Sequence, residues 1–189
     1  MSGVEAARGM AERYLAVADR LLPDRIVGFY LVGSIALGAY RDGRSDIDFV
    51  ALLDRRLSDG EIRRIRLVQL ISNVRTTSRA LAHGHIALPG TVNGAYIAAQ
   101  DAMLPVTEIR PIASHVAGAL HRGSAFDVNP VVWKEFLEGG VVLRGPSPTA
   151  LRLDPEPEGL RQWNVDNLNR YWRGWAEESA QGRRANSPV

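Results

Sequence analysis

Two apolar runs, Ile26 to Val32 and Ile47 to Leu53, restrict how this chain can fold more than any other feature. Continuous runs of about seven apolar residues are what central strands buried on both faces look like. The first run ends on Gly33-Ser34. The second opens with Asp46-Ile47-Asp48 and is otherwise apolar. Between them lies a turn-rich segment, Arg41-Asp42-Gly43-Arg44-Ser45. Residues i and i+2 of a strand point to the same face, so Asp46 and Asp48 present two carboxylates side by side while Ile47 turns into the core.

That pair needs a partner. Two like charges about 4 Å apart repel by roughly 4 kcal/mol at an effective dielectric near 20. Divalent cations offset this best, and magnesium is usually held by one or two carboxylates together with substrate phosphates. Two such ions stabilise both the attacking and the leaving oxygen of a phosphoryl displacement. Gly33 allows a phosphate to approach the backbone closely, and Ser34 brings a hydroxyl donor. A short helix starting within Ile35 to Ala39 would add a favourable N-terminal dipole. Asp-x-Asp alone usually marks a solvated turn. The signal is the combination of strand, Gly-Ser, eleven intervening residues, Asp-x-Asp and strand.

Those residues, Gly33 to Asp48, resemble the signature of the DNA polymerase β-like nucleotidyltransferase superfamily. Within it the chain is most similar to aminoglycoside adenylyltransferases of the streptomycin/spectinomycin type. Tyr96 to Asp101 and Asn129 to Pro146 (NPVVWKEFLEGGVVLRGP) match that family's third strand and its helix–strand unit ending in Gly-Pro. The resemblance implies an α/β (α+β) nucleotidyltransferase fold, with a mixed central sheet flanked by helices, plus a C-terminal helix. It implies ATP as substrate, Mg²⁺ as cofactor and a small-molecule hydroxyl, such as that of an aminoglycoside, as acceptor. Asp46 and Asp48 would hold the metal, and Gly33, Ser34, Arg44 and Ser45 would hold the nucleotide.

One family position is not matched. The third acidic residue expected on the next strand falls on Asn93. An amide cannot accept a proton at neutral pH and is a poor magnesium ligand beside a carboxylate. No Asp or Glu lies between Glu61 and Asp101, so a shifted alignment does not restore one. Reduced activity is the expectation, with His85, Asp101 and Glu108 as candidate substitute bases. The alternative is a catalytically weak nucleotide-binding protein, or a toxin–antitoxin-type nucleotidyltransferase, acting on or through a protein partner.

Elsewhere the sequence is that of an ordinary soluble domain, with 46% hydrophobic and 23% charged residues. Net charge is +2 and Lys134 is the only lysine, so there is no concentrated basic stripe and nucleic acid is not expected as a partner. With no cysteine, disulfides, thiolate metal sites and cysteine nucleophiles are excluded. No apolar stretch is long enough for a membrane span, and the first residues carry acids rather than an apolar signal core. A cytoplasmic location is the resulting expectation. His83, His85, His115 and His121 lack further ligands at metal spacing and read as surface or cap residues; Trp133 reads as core.

The expected organisation is a nucleotidyltransferase domain over 1–146, a proline-rich linker over 147–159 and a C-terminal helix or helical-domain stub over 160–189. Helices are expected over 3–21, from the capping box Ser58-Asp59-Gly60-Glu61 to about Ala82, over Val131 to Glu138 and from Leu160 to about Gln181. The long one would bury Ile62, Ile65, Val68, Leu70 and Ile71. A third strand should run from Thr91 to Ala98, and Ile112 to Leu120 should be a strand or hairpin. Leu168, Tyr171, Trp172 and Trp175 recur at i, i+3, i+4, i+7 and predict a buried aromatic stripe, against the domain, a homodimer partner or another chain. The family resembled carries a helical bundle beginning about there, and the resemblance implies a truncated or divergent member with only a stub of it.

Overall fold

The computed structural model describes residues 3–42, 44–82, 92–116 and 118–181, with the backbone alone for 73–82. Helix α1 (Gly3–Leu21) leads into β1 (Ile26–Val32) and β2 (Ile47–Leu53), the two apolar runs. Helix α2 (Asp59–Ala82) follows, then β3 (Val92–Ala98) and the hairpin β4 (Ala113–Val116) with β5 (Ala119–Arg122). Helix α3 (Pro130–Gly139) precedes β6 (Val141–Arg144). The last helical stretch comprises α4 (Leu160–Asn167), a π turn over Leu168–Trp172 and α5 (Arg173–Ala180).

The six strands form one sheet in the order β5-β4-β3-β2-β1-β6. Only β2 and β3 run parallel; the other neighbours are antiparallel. A parallel pair needs a crossover of a dozen or more residues, and α2 lies on that connection. Its start is built as the sequence predicts. The Ser58 hydroxyl and backbone N–H both bond Glu61, and the Glu61 N–H donates back to the Ser58 hydroxyl.

Alternation along the strands makes two cores. One sheet face carries Phe29, Leu31, Ile47, Phe49 and Tyr96, packed against Ala7, Ala11, Tyr14 and Ala18 of α1 and Ile62, Ile65 and Val68 of α2. The other carries Tyr30, Val32, Val50, Leu52 and Ile97, packed against Trp133 and Phe136 of α3. Helix α3 therefore lies on the face opposite to α1 and α2. Its N-terminus is capped by Asn129, whose side-chain oxygen accepts from the backbone N–H groups of Val131 and Val132.

Several expectations change. Leu70 is exposed, and Gln69 takes the buried place on α2, because 100° per residue carries position 70 off the stripe of Ile62, Ile65 and Val68. The stretch from Ile35 to Gly38 forms tight turns rather than a helix, with Leu37 N–H on Gly33 O and Ala39 N–H on Ser34 O. No helix dipole is therefore available there. The proline-rich stretch after Pro146 is attached to the body: Pro105 bridges Asp154, and Thr107 donates to Glu156 through both its backbone N–H and its hydroxyl.

The aromatic stripe is not buried: Leu168 is 60% exposed, and Tyr171 and Trp172 are each 39% exposed. The π turn over Leu168–Trp172 departs from the helical period that the spacing assumes. The rings pack on one another, Tyr171 on Trp172 and Trp172 on Trp175, and on the body through Phe126 at 5.6 Å from Tyr171. Among the described residues no helix is long and apolar enough to cross a membrane.

Candidate active site

β1 and β2 are antiparallel, so the end of one meets the start of the other. Val32 is the partner of Asp48, and Asp48 is in turn the partner of Asn93 on β3. Partners across a sheet share a face. Val32, Asp48 and Asn93 therefore project together, on the face covered by α3. Asp46 stands just before β2, and the Asn93 side-chain amide donates to its Oδ2 at 3.2 Å.

Gly33 turns the chain away from β1 with φ of +61°, a left-handed conformation that favours glycine. A Cβ at this position would lie 2.5 Å from Asp48 Oδ2. The glycine thus serves the turn and also leaves room for the carboxylate. Among the described residues the buried Ser34 hydroxyl, next to the turn, has no hydrogen-bond partner. Ser45 closes the following loop: its hydroxyl accepts from the Arg41 N–H at 3.0 Å, and its own N–H donates to Arg41 O at 2.8 Å. Arg41 and Arg44 both lie on the exposed side of this loop.

Two further carboxylates act on Asp48 through their charge. Burial raises the Asp48 pKa to about 7, and the negative charges of Asp127, Asp46 and Glu135, in that order, push it the same way. Asp127 and Glu135 are themselves raised by burial. Topology explains their arrival. The chain leaves β5 at one sheet edge and must enter β6 at the other. Ser114, partner of Ala95 and so on the α3 face, holds Ser124 O with its hydroxyl. There the chain folds back over the sheet. At the far end of α3, Gly139 lies against Ala36 of the turn after Gly33, leaving no space for a side chain. The segment 124–140 therefore crosses the sheet beside the Gly33 turn. The sequence reading has Asn129-Pro130 as a helix start but gives Asp127 and Glu135 no role, because only the strand order reveals the crossing.

The donor set fits a nucleoside triphosphate with a divalent cation. Among the described residues no three His, Cys, Asp or Glu side chains are close enough to share an ion. A cation here would take Asp46 and Asp48 and complete its shell with phosphate oxygens and water, the usual manner of magnesium.

The other candidates fall elsewhere. Asp101 follows the far end of β3, opposite to Asn93, and pairs with Arg56 at 3.6 Å. Glu108 is exposed in a turn beyond it. His83 and His85 lie outside the described residues. His115 is fully buried rather than on the surface; its Nδ1 lies 2.9 Å from the Tyr14 hydroxyl, which also bonds Tyr96. His121 is the partner of Ser114 and so faces the other side of the hairpin from His115.

This fold and this turn define a class. Residues 12–80 match the family model described as "Nucleotidyltransferase domain". Among solved structures the chain is similar to spectinomycin adenyltransferase AAD(9) from Enterococcus faecialis, determined with ATP and spectinomycin, with a TM-score of 0.59 and 15% identity. That match covers 86% of this chain and 66% of the other, so this chain spans just under two thirds of that enzyme's length. A toxin–antitoxin structure with AMP-PNP matches at a TM-score of 0.33 and 15% identity, covering 89% and 93% of the two chains. No curated protein sequence matches.

Proposed function

We propose that the protein is a magnesium-dependent nucleotidyltransferase that moves a nucleoside monophosphate, AMP from ATP, to a hydroxyl of a small molecule of the aminoglycoside class. One observation carries the reading: a left-handed glycine turn with no room for a side chain abuts Asp48, at the point where β1, β2 and β3 bring Gly33, Asp46, Asp48 and Asn93 together. Gly33 and the Ser34 hydroxyl receive the triphosphate, Ser45 holds the loop, and Arg44 lies beside it for the phosphates, a role suited to a guanidinium. Asp46 and Asp48 hold Mg²⁺, which when bound neutralises charge on the phosphates and polarises the phosphorus under attack. Positioning and electrostatics carry most of the catalysis in phosphoryl transfer.

The acceptor class rests on the likeness to the adenylyltransferase fold and on the crowding of carboxylates around Asp48, which suits a polycationic substrate. The exposed Tyr171 and Trp172 pack toward Phe126, the residue before Asp127, and offer aromatic surface to an acceptor. The proposed organisation is a catalytic domain to 146 and an appended helical segment from 160. The test is pyrophosphate release from ATP and Mg²⁺ with spectinomycin or streptomycin, with mass analysis of the acceptor. An adenylylated acceptor is the expected product. ATP binding that ignores both Mg²⁺ and the Asp pair would overturn the reading.

A further inference from the structure

Beyond Leu53, at the opposite end of β2 from Asp46 and Asp48, lies a cavity of about 330 Å³ lined by Arg56, Leu57, Ile62, Pro111, Ile112 and Arg122. β2 runs seven residues from Ile47 to Leu53, so about 20 Å of strand separates the cavity from the Asp pair. The two also lie on opposite sides of the sheet. Ile62 and Ile112 belong to the core under α1 and α2, while Asp48 projects on the α3 face. We propose that this cavity binds a small organic carboxylate, with its head between Arg56 and Arg122 and a short alkyl or aryl body on the apolar floor. The proposal goes beyond nucleotidyl transfer and does not rest on it.

Three observations carry the assignment. First, the local sequence builds a firm floor. The Ser58–Glu61 capping box starts α2 and is followed at once by Ile62, which is buried. Ile112, also buried, leads into β4, and its carbonyl accepts from the Gly123 N–H just past β5, which closes that end of the hairpin. Leu57 is partly buried against the same core. Second, the charge has one sign. Two arginines line the cavity, and no Asp or Glu is among its lining residues. An apolar lining with a few polar groups is the usual form of a small-molecule site.

Third, both arginines have donors to spare. Each side chain is more than half exposed, and among the described residues each is held through Nη2 alone. Arg56 donates to Arg110 O at 3.3 Å and lies 3.6 Å from Asp101, and Arg122 donates to Asp59 at 2.5 Å. Exposed pairs of this kind contribute little to stability. The remaining N–H groups of each guanidinium can take a carboxylate without breaking them. Asp59 and Asp101 already offset part of the positive charge, so a singly charged head suits the cavity better than a doubly charged phosphate group.

The experiment titrates the full chain with hexanoate, benzoate and 4-phenylbutyrate. The primary amide of each acid tests the head, and acetate tests the body. Binding is followed by calorimetry and by ¹H–¹⁵N spectra in wild type, Arg56→Gln, Arg122→Gln, the double variant and Asp48→Ala, with thermal unfolding as the check that each is folded. At least one of the three acids should bind with a Kd of about 10 mM or tighter. Its amide and acetate should each bind about 10-fold or more weakly. Each single arginine variant should lose about 3-fold or more in affinity and the double variant about 10-fold or more; the single variants decide if the double variant does not fold. Asp48→Ala should bind the acid as wild type does. A Kd weaker than about 10 mM for all three acids overturns the proposal. So does an amide that binds as tightly as its acid, or unchanged affinity in the folded arginine variants. Loss of binding in Asp48→Ala would move the probe to the nucleotide site and also overturns it, without touching the nucleotidyltransferase reading.

Discussion

Asn93 donates its side-chain amide to Asp46 across the boundary between β2 and β3, at 3.2 Å. A neutral donor thus sits where a third carboxylate would add to the repulsion between Asp46 and Asp48. Asn93→Asp should turn that hydrogen bond into a like-charge contact. In chelator the variant should be destabilised by about 1–3 kcal/mol, and Mg²⁺ should recover more stability in it than in wild type. Thermal unfolding with and without Mg²⁺ checks this; equal melting of the two proteins in chelator would remove the hydrogen bond from the account.

Gly33 is held at positive φ with Asp48 against its missing side chain. Gly33→Ala should cost about 1–2 kcal/mol from the left-handed backbone alone, and more from the displaced carboxylate. ATP affinity should fall by about 10-fold or more, since a shift in this turn moves both the phosphate cradle and Asp48. Unchanged affinity in a folded Gly33→Ala protein would separate the turn from the nucleotide.

His115 gives the core a pH dependence. Burial lowers its pKa from 6.5 to about 3, so the folded state holds it neutral beside the Tyr14 and Tyr96 hydroxyls. A depressed folded pKa means that the unfolded chain binds the proton first. The contribution is therefore complete above pH 6.5 and is lost as pH falls toward 3. Between pH 7 and 4.5 the loss is about 3 kcal/mol. Denaturant unfolding of wild type should show this extra acid sensitivity relative to His115→Gln. Parallel curves would contradict it.

The two ends of the aromatic inventory should behave differently. Trp133 is fully buried on α3 against Phe136, and Trp133→Ala should cost about 3–5 kcal/mol. Trp172 lies on the half-open stripe, and Trp172→Ala should cost less than about 1 kcal/mol. A large loss at Trp172 in dilute, monomeric protein would mean that the stripe is buried in solution.

The residues that could be read from sequence are those whose signals are local. The two apolar runs, the Ser58–Glu61 capping box and the Asn129-Pro130 helix start each depend on a few neighbouring residues, and each forms as written. The pairing of Asp48 with Asn93 follows once the second and third strands are parallel neighbours, which a long crossover helix between them permits. What the sequence conceals is long-range. The charges of Asp127 and Glu135 act on Asp48 only because β5 and β6 occupy opposite edges of the sheet. His115 looks like any hairpin histidine until register places it against Tyr14, a hundred residues earlier. The stripe from Leu168 to Trp175 follows helical spacing, but spacing does not say whether a face has a partner, and the π turn alters that spacing as well.

The most direct test of the central claim is calorimetry of ATP binding with and without Mg²⁺, in wild type and in Asp48→Ala. The account predicts that wild type binds ATP with Mg²⁺ and loses about 10-fold or more in affinity without it, because the carboxylates near Asp48 repel the triphosphate unless a cation lies between them. Asp48→Ala should show little or no response to Mg²⁺. Equal ATP affinity in both proteins, or wild-type binding indifferent to Mg²⁺, would contradict the assignment of Asp46 and Asp48 as the metal-binding pair of a nucleotidyltransferase.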